Sequence, residues 1–122
     1  MGDNEIENEI VAKGLTAPRV TPDDIDDAIA STHYFTAEDG VDRANRGQTS
    51  VGGKNPQALS LLTFCVLVLR NGFTVTGESA CASPENFDAE LGRKIARQNA
   101  VSKMWPLLGY ELKCRLHRGE VK

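Results

Sequence analysis

Residues 58–80, ALSLLTFCVLVLRNGFTVTGESA, decide the fold. Both alternating sets of the first half are apolar: Leu62, Phe64, Val66 and Val68 on one side, Leu61, Cys65, Leu67 and Leu69 on the other. Such a run predicts a central strand covered on both faces. Asn71-Gly72 follows, the dipeptide that best accepts the positive φ values of a type I′ turn, and FTVTGESA returns as a second strand with Phe73 and Val75 alternating against Thr74 and Thr76. Gly77 within the return strand predicts a bulge or a close backbone approach, with Glu78 and Ser79 re-aimed beside it.

Downstream, ASPENFDAELGRKIARQNAVSKMW (82–105) reads as a long helix, capped by Ser83, with Pro84 in its first turn and Pro106 as its stop. At helical spacing Phe87, Leu91, Ile95, Val101 and Trp105 form the stripe expected to pack on the sheet. Opposite lie Ala89, Gly92, Ala96 and Ala100, small residues that permit close approach of another backbone; they read either as plain surface helix formers or as a subunit contact through Gly92, Ala96 and Ala100. Beyond Pro106, LLGYELKCRLH alternates Tyr110, Leu112, Cys114 and Leu116 against Glu111, Lys113 and Arg115, which predicts a half-buried strand.

Upstream, VTPDDIDDAIAS carries Thr21 as N-cap, Pro22 at the first helical position and Asp23 and Asp24 at the positive end of the helix dipole. A short helix over about 22–31 follows, burying Ile25, Ala28 and Ile29. The acid run lacks the alternating ligands, central Gly and terminal Glu of a calcium loop. Residues 1–17 read as an acidic tail or a frayed helix, and 37–57, rich in Gly, Asn and Asp without periodicity, as a long loop of the kind that covers a ligand. Gly52-Gly53-Lys54 within it lacks the spacing of a phosphate-binding loop. The expected fold is therefore α+β, one domain over 18–122: a small antiparallel sheet built on the Asn-Gly hairpin, a long helix packed on one face and a short N-terminal helix.

The 122 residues carry a net charge of -3, divided as -8 over residues 1–40 and +5 over 41–122. The overall sign disfavours generic nucleic-acid binding, while the basic body leaves room for an anionic ligand or merely a solvated surface. No apolar segment is long enough to span a bilayer, no secretory leader is read at the N-terminus, and the expected location is cytoplasmic. Cys65, Cys81 and Cys114 are odd in number and widely spaced, so they read as small buried hydrophobes, with no metal and no cofactor expected.

Catalytic patterns are missing: His33 and His117 stand apart from any nucleophile motif, and Glu85 and Asp88 are accounted for by a helix first turn. Binding is the better reading of the long helix. Arg93, Arg97 and Lys103 supply charge for phosphates, Asn86 and Asn99 supply donor and acceptor for a base or ribose edge, and Phe73 supplies a stacking ring. The same residues also fit an ordinary solvated helix face.

The segments RVTPDDIDDAIASTHYFT, NGFTVTGESA and GRKIAR, within about residues 18–117, resemble a family of small bacteriophage proteins named after gene product 49 of phage N4 and gene product 66 of phage Sf6. That resemblance implies an accessory protein acting in the bacterial cytoplasm. The ENFD helix start, the basic helix and WPLLGY also look like the Thoeris anti-defence sponges, which hold cyclic ADP-ribose-type immune signals without cleaving them. This second likeness implies a non-enzymatic homo-oligomer that sequesters a small anionic nucleotide-derived ligand, with Asn86, Asn99 and Lys103 near polar ligand contacts and Phe73 stacking. The alternative is a regulator that binds a host protein or, less in keeping with the charge, DNA.

Overall fold

The computed structural model describes residues 2–45 and 55–121. The elements are α1 (Asp3–Ala12), α2 (Pro22–Ala28), β1 (Ile29–Thr36), α3 (Ala37–Ala44), β2 (Leu62–Leu69), β3 (Thr74–Ala80) and α4 (Ala89–His117), with 3₁₀ turns at Gln57–Leu61 and Pro84–Asn86. The fold is α+β: a three-stranded antiparallel sheet ordered β1-β2-β3, with α4 lying across β2 and β3 on one face.

The hairpin forms, through a different turn. Asn71 keeps a negative φ, and only Gly72 (φ 88°) enters the left-handed region. The Gly72 N–H donates to the Leu69 carbonyl (2.9 Å), and the Leu69 N–H donates to that of Phe73 (2.8 Å). This encloses Arg70, Asn71 and Gly72 in a three-residue loop, a first turn closed by a left-handed glycine instead of a type I′ pair. Asn71 serves through its side chain, whose Oδ1 accepts from the Phe73 N–H at 2.9 Å.

Burial along β2 alternates strictly, with Thr63, Cys65, Leu67 and Leu69 beneath α4 and Leu62, Phe64, Val66 and Val68 half-exposed. The strand is thus covered on one face, not two. Phe35 of β1 stacks on Phe64 on the other face, centroids 5.4 Å apart. Burial of Cys65 also pushes its thiol pKa up.

Of the helix face expected on the sheet, Val101 and Trp105 do pack against the core, but the face turned fully inward is another one. Gly92, Ala96, Ala100 and Met104 are buried, while Leu91 is 52% exposed and Ile95 39%. The small-residue strip, read above either as surface helix formers or as a subunit contact, is instead covered by this chain's own sheet. The reason is Gly77: a methyl there would meet the Ala96 carbonyl oxygen at 2.2 Å and the Ala100 nitrogen at 2.3 Å. Strand and helix backbones touch, which larger residues on either side would prevent. Of the two readings of Gly77, close approach is the one realised.

Four further expectations are corrected. Pro106 does not stop α4, and residues 107–117 are helix and not strand. Trp105 and Leu108 both pack on the core cluster around this proline, so the helix is held on each side of the missing N–H. Ser83 does not cap α4; Asp88 does, accepting from the Leu91 N–H at 3.0 Å. Helix α2 ends at Ala28, and the following IASTHYFT forms the edge strand β1, Cα-paired from Ile29↔Leu69 to Thr36↔Thr63. Finally, part of the expected 37–57 loop is α3, started by a reciprocal Thr36–Asp39 capping box; Gly52-Gly53-Lys54 lies outside the described residues.

The acidic N-terminal segment, read as a tail or a frayed helix, contains the docked helix α1. None of its residues is buried. It is tied down by Arg19, which donates to both Glu7 carboxylate oxygens, and by the indole N–H of Trp105, which donates to Asp3 at 3.1 Å. The Arg19 guanidinium holds the Glu7 carboxyl below its ordinary 4.5, and Arg19 is in turn raised.

Candidate functional site

Where β2 begins and β3 ends, the first turns of α4 cross the sheet. The register places Thr36, Thr63 and Ser79 side by side there, one from each strand. A row of hydroxyls thus replaces the apolar floor found under the rest of the helix. Two adjoining recesses open over this row, of about 130 and 150 Å³, and Thr63 and Phe87 line both. The first is completed by Ser79, Asn86, Leu91, Gly92 and Ile95. The second is completed by Tyr34, Phe35, Thr36, Asp39 and Arg93.

Thr63 is 3% exposed, and its Oγ1 has no hydrogen-bond partner among the described residues. A buried hydroxyl left so costs about 1–3 kcal/mol. Gly92 stands over it: a methyl at that position would come within 3.1 Å of the same oxygen. The absent side chain is what keeps the recess open at its base.

The charged groups around the recesses have distinct duties. Asp88 is the N-cap of α4, and Asp39 accepts from the Thr36 N–H at 2.9 Å, so both carboxylates are engaged in holding helix starts. Lys94 pairs with Glu90 (3.5 Å) and Arg97 with Asp26 (3.9 Å), whereas Arg93 has no ion-pair partner among the described residues. Arg93 is exposed at the rim and is the cation best placed to meet a ligand. His33 bonds Ser31 at 3.0 Å on the other face of the sheet, and His117 closes the far end of α4, so neither ring serves the recesses.

Of the six ligand residues expected from the sequence, only Asn86 and Arg93 line this pair of recesses. Phe73, 56% exposed, lies at the opposite end of the sheet in a groove of about 490 Å³ with Leu69, Leu107 and Leu108. At 1.5 Å per residue, the helix level of Leu107 is roughly 22 Å from that of Gly92. Arg93 and Arg97 face the β1 side. Asn99 lies on the β3 side, where its Nδ2 donates to the Glu78 carbonyl at 2.8 Å, and Lys103 follows one turn on, exposed. The basic face therefore splits into two flanks, and a single pocket of all six residues does not form.

Thr63, Tyr34, Phe35 and Thr36 were missed. Thr63 did leave a signal, since it is the one polar residue in the buried phase of an otherwise apolar strand. The other three belong to β1, whose weak alternation concealed the strand. Among the described residues no helix is long and apolar enough to cross a membrane.

No curated protein and no solved structure matches the chain. One family model does, that of the Phage protein (N4 Gp49/phage Sf6 gene 66) family, over residues 20–116, from the start of α2 through nearly all of α4. That span includes the hairpin, the hydroxyl row and both recesses, and on it the chain belongs to this family of phage proteins.

Proposed function

We propose that the protein is a phage anti-defence sponge, acting in the host cytoplasm, which binds a cyclic ADP-ribose-like immune signal and withholds it without cleaving it. The observation that carries this reading is the double recess at the head of α4. It offers the aromatic rings of Tyr34 and Phe87 for stacking, Arg93, which has no ion-pair partner among the described residues, for a phosphate, and Asn86 for a polar edge. Engagement of Asp39 and Asp88 as helix caps, and the remoteness of both histidines, favour holding over hydrolysis.

Each recess is smaller than the roughly 300–1,000 Å³ of a pocket that encloses a whole small molecule. The chain would therefore grip part of the ligand, and a homo-oligomer remains part of the proposal, with its contacts away from the Gly92/Ala96/Ala100 strip. The test is to expose purified protein to a lysate containing immune-type cyclic nucleotides, wash it, denature it by heat and identify what is released by mass spectrometry. Intact ligand is expected, and Arg93→Ala should lower its recovery; an empty protein overturns the proposal.

The groove beside Phe73 favours a second reading, a regulator that binds a host protein through an apolar surface. It predicts that Phe73→Ser and Leu107→Ser, and not Arg93→Ala, abolish the protein's effect on phage growth.

A further inference from the structure

The hydroxyl row beneath α4 has a chemistry of its own. Three neighbouring strands present Thr36, Thr63 and Ser79 in register; the central hydroxyl is buried without a partner among the described residues, and the Thr36 hydroxyl, which accepts from the Asp39 N–H at 3.1 Å, still has its own proton to donate. A hydroxyl can both donate and accept, so such a row suits uncharged groups that do the same. Phosphate is a poor occupant at this depth: the carboxylates nearest the recesses are Asp39 and Asp88, and the cation, Arg93, sits at the rim. Burying a charge there without a paired counter-charge is costly. Gly92 supplies the room, since any larger residue would cap Thr63 Oγ1.

We infer that the Thr36–Thr63–Ser79 row is the specificity-determining floor of the site, taking an uncharged hydroxyl-bearing fragment such as a ribose, while phosphates stay outside against Arg93. This deepens the sponge reading and rests on it for the identity of the whole ligand. Thr63 is the deciding residue because it alone lines both recesses together with Phe87. A site built to hydrogen-bond a hydroxyl rejects analogues that lack it, because its buried polar groups are then left unpaired.

The test uses the full chain, isotope-labelled, with adenosine and inorganic phosphate as separate probes in amide NMR titrations. Adenosine is expected to shift the amides of Thr63 and Gly92, and phosphate to leave them in place. Thr63→Val keeps the shape of the side chain and removes its hydroxyl, and should weaken adenosine about tenfold, the loss of one buried hydrogen bond. Gly92→Ala should weaken it as well, by filling the recess with its methyl. Both variants should fold: the first discards an unsatisfied group and the second improves helix propensity.

Equal adenosine affinity in wild type and Thr63→Val, no response to adenosine at all, or floor amides that respond to phosphate as strongly as to adenosine would each overturn the inference. The two proposals fail separately. A protein that emerges empty from lysate yet binds adenosine through Thr63 disproves the sponge and keeps the floor. Recovery of an intact cyclic signal by Thr63→Val at wild-type yield keeps the sponge and disproves the floor.

Discussion

Gly77 and Ala96 bring two backbones into contact: a methyl on Gly77 would lie 2.2 Å from the Ala96 carbonyl oxygen, well inside van der Waals contact. That approach sets the distance of α4 from the sheet and thereby the depth of the recesses at its head. Neither backbone can move aside cheaply, because Ala96 and Ala100 belong to a continuous 29-residue helix and Gly77 to a paired strand.

Gly77→Ala should therefore be among the most damaging single substitutions. Overpacking a tight core costs about 1–3 kcal/mol, and a clash with backbone belongs at the upper end or beyond. Urea denaturation followed by circular dichroism reads the loss directly.

Ala100→Leu distinguishes the two uses of the small-residue strip. Packed on the sheet, Ala100 is fully buried, and the larger side chain should destabilise the chain by about 1–3 kcal/mol. A strip serving a subunit contact would instead give a stable protein of altered mass in light scattering.

Pro106→Ala restores the N–H that the helix interior lacks opposite the Ser102 carbonyl. Because Pro106 is exposed, nothing is lost in packing, and a gain of about 1–3 kcal/mol is expected from the denaturation midpoint.

Trp105 is the sole tryptophan and donates to Asp3, so its fluorescence reports the docking of α1. Glu7 has its pKa lowered in the folded state by the hydrogen bonds from Arg19. A carboxylate with a depressed folded pKa contributes stability above its unfolded value and loses that contribution as pH falls through the folded one. Acidification from pH 4.5 downward should thus shift Trp105 emission as α1 releases, and Glu7→Gln should remove the Arg19-linked part of that shift. An emission maximum unchanged down to pH 2, with the sheet still folded, would show that the ion pair does not hold α1.

Arg93→Ala should leave folding stability within about 0.5 kcal/mol, as for most exposed residues without a packing role. Ligand recovery after heat release should nevertheless fall. The two measurements together separate a binding residue from a structural one.

Elements with strong local signals were legible. The apolar run of β2 and the return strand after Asn71-Gly72 specify the hairpin, and Thr21-Pro22-Asp23-Asp24 specifies the start of α2, realised as a reciprocal Thr21–Asp24 capping box. Strand β1 was not legible, since Ser31, Thr32 and His33 give an edge strand little apolar alternation. Asn86 and Arg93, expected from chemical type alone, do line the recesses, whereas adding Asn99 and Lys103 assumed a single face for a helix that straddles the sheet, and adding Phe73 overlooked that the hairpin turn lies at the sheet's other end.

Local chemistry along the chain was enough for the α+β class, the hairpin, the capped α2 and the long basic helix, because caps, turns and strand alternation act over a few residues. Two outcomes belonged to tertiary contact. Which side of α4 turns inward was decided by the absence of a side chain at Gly77, which rewards the small Gly92/Ala96/Ala100 strip with closer packing than Leu91 and Ile95 allow. Whether Pro106 ends the helix was decided by anchorage of Trp105 and Leu108 on the core on either side of it. The recess over Thr63 follows from the first of these, since its floor comes from three strands and its roof from a helix brought down by a glycine far from it in sequence.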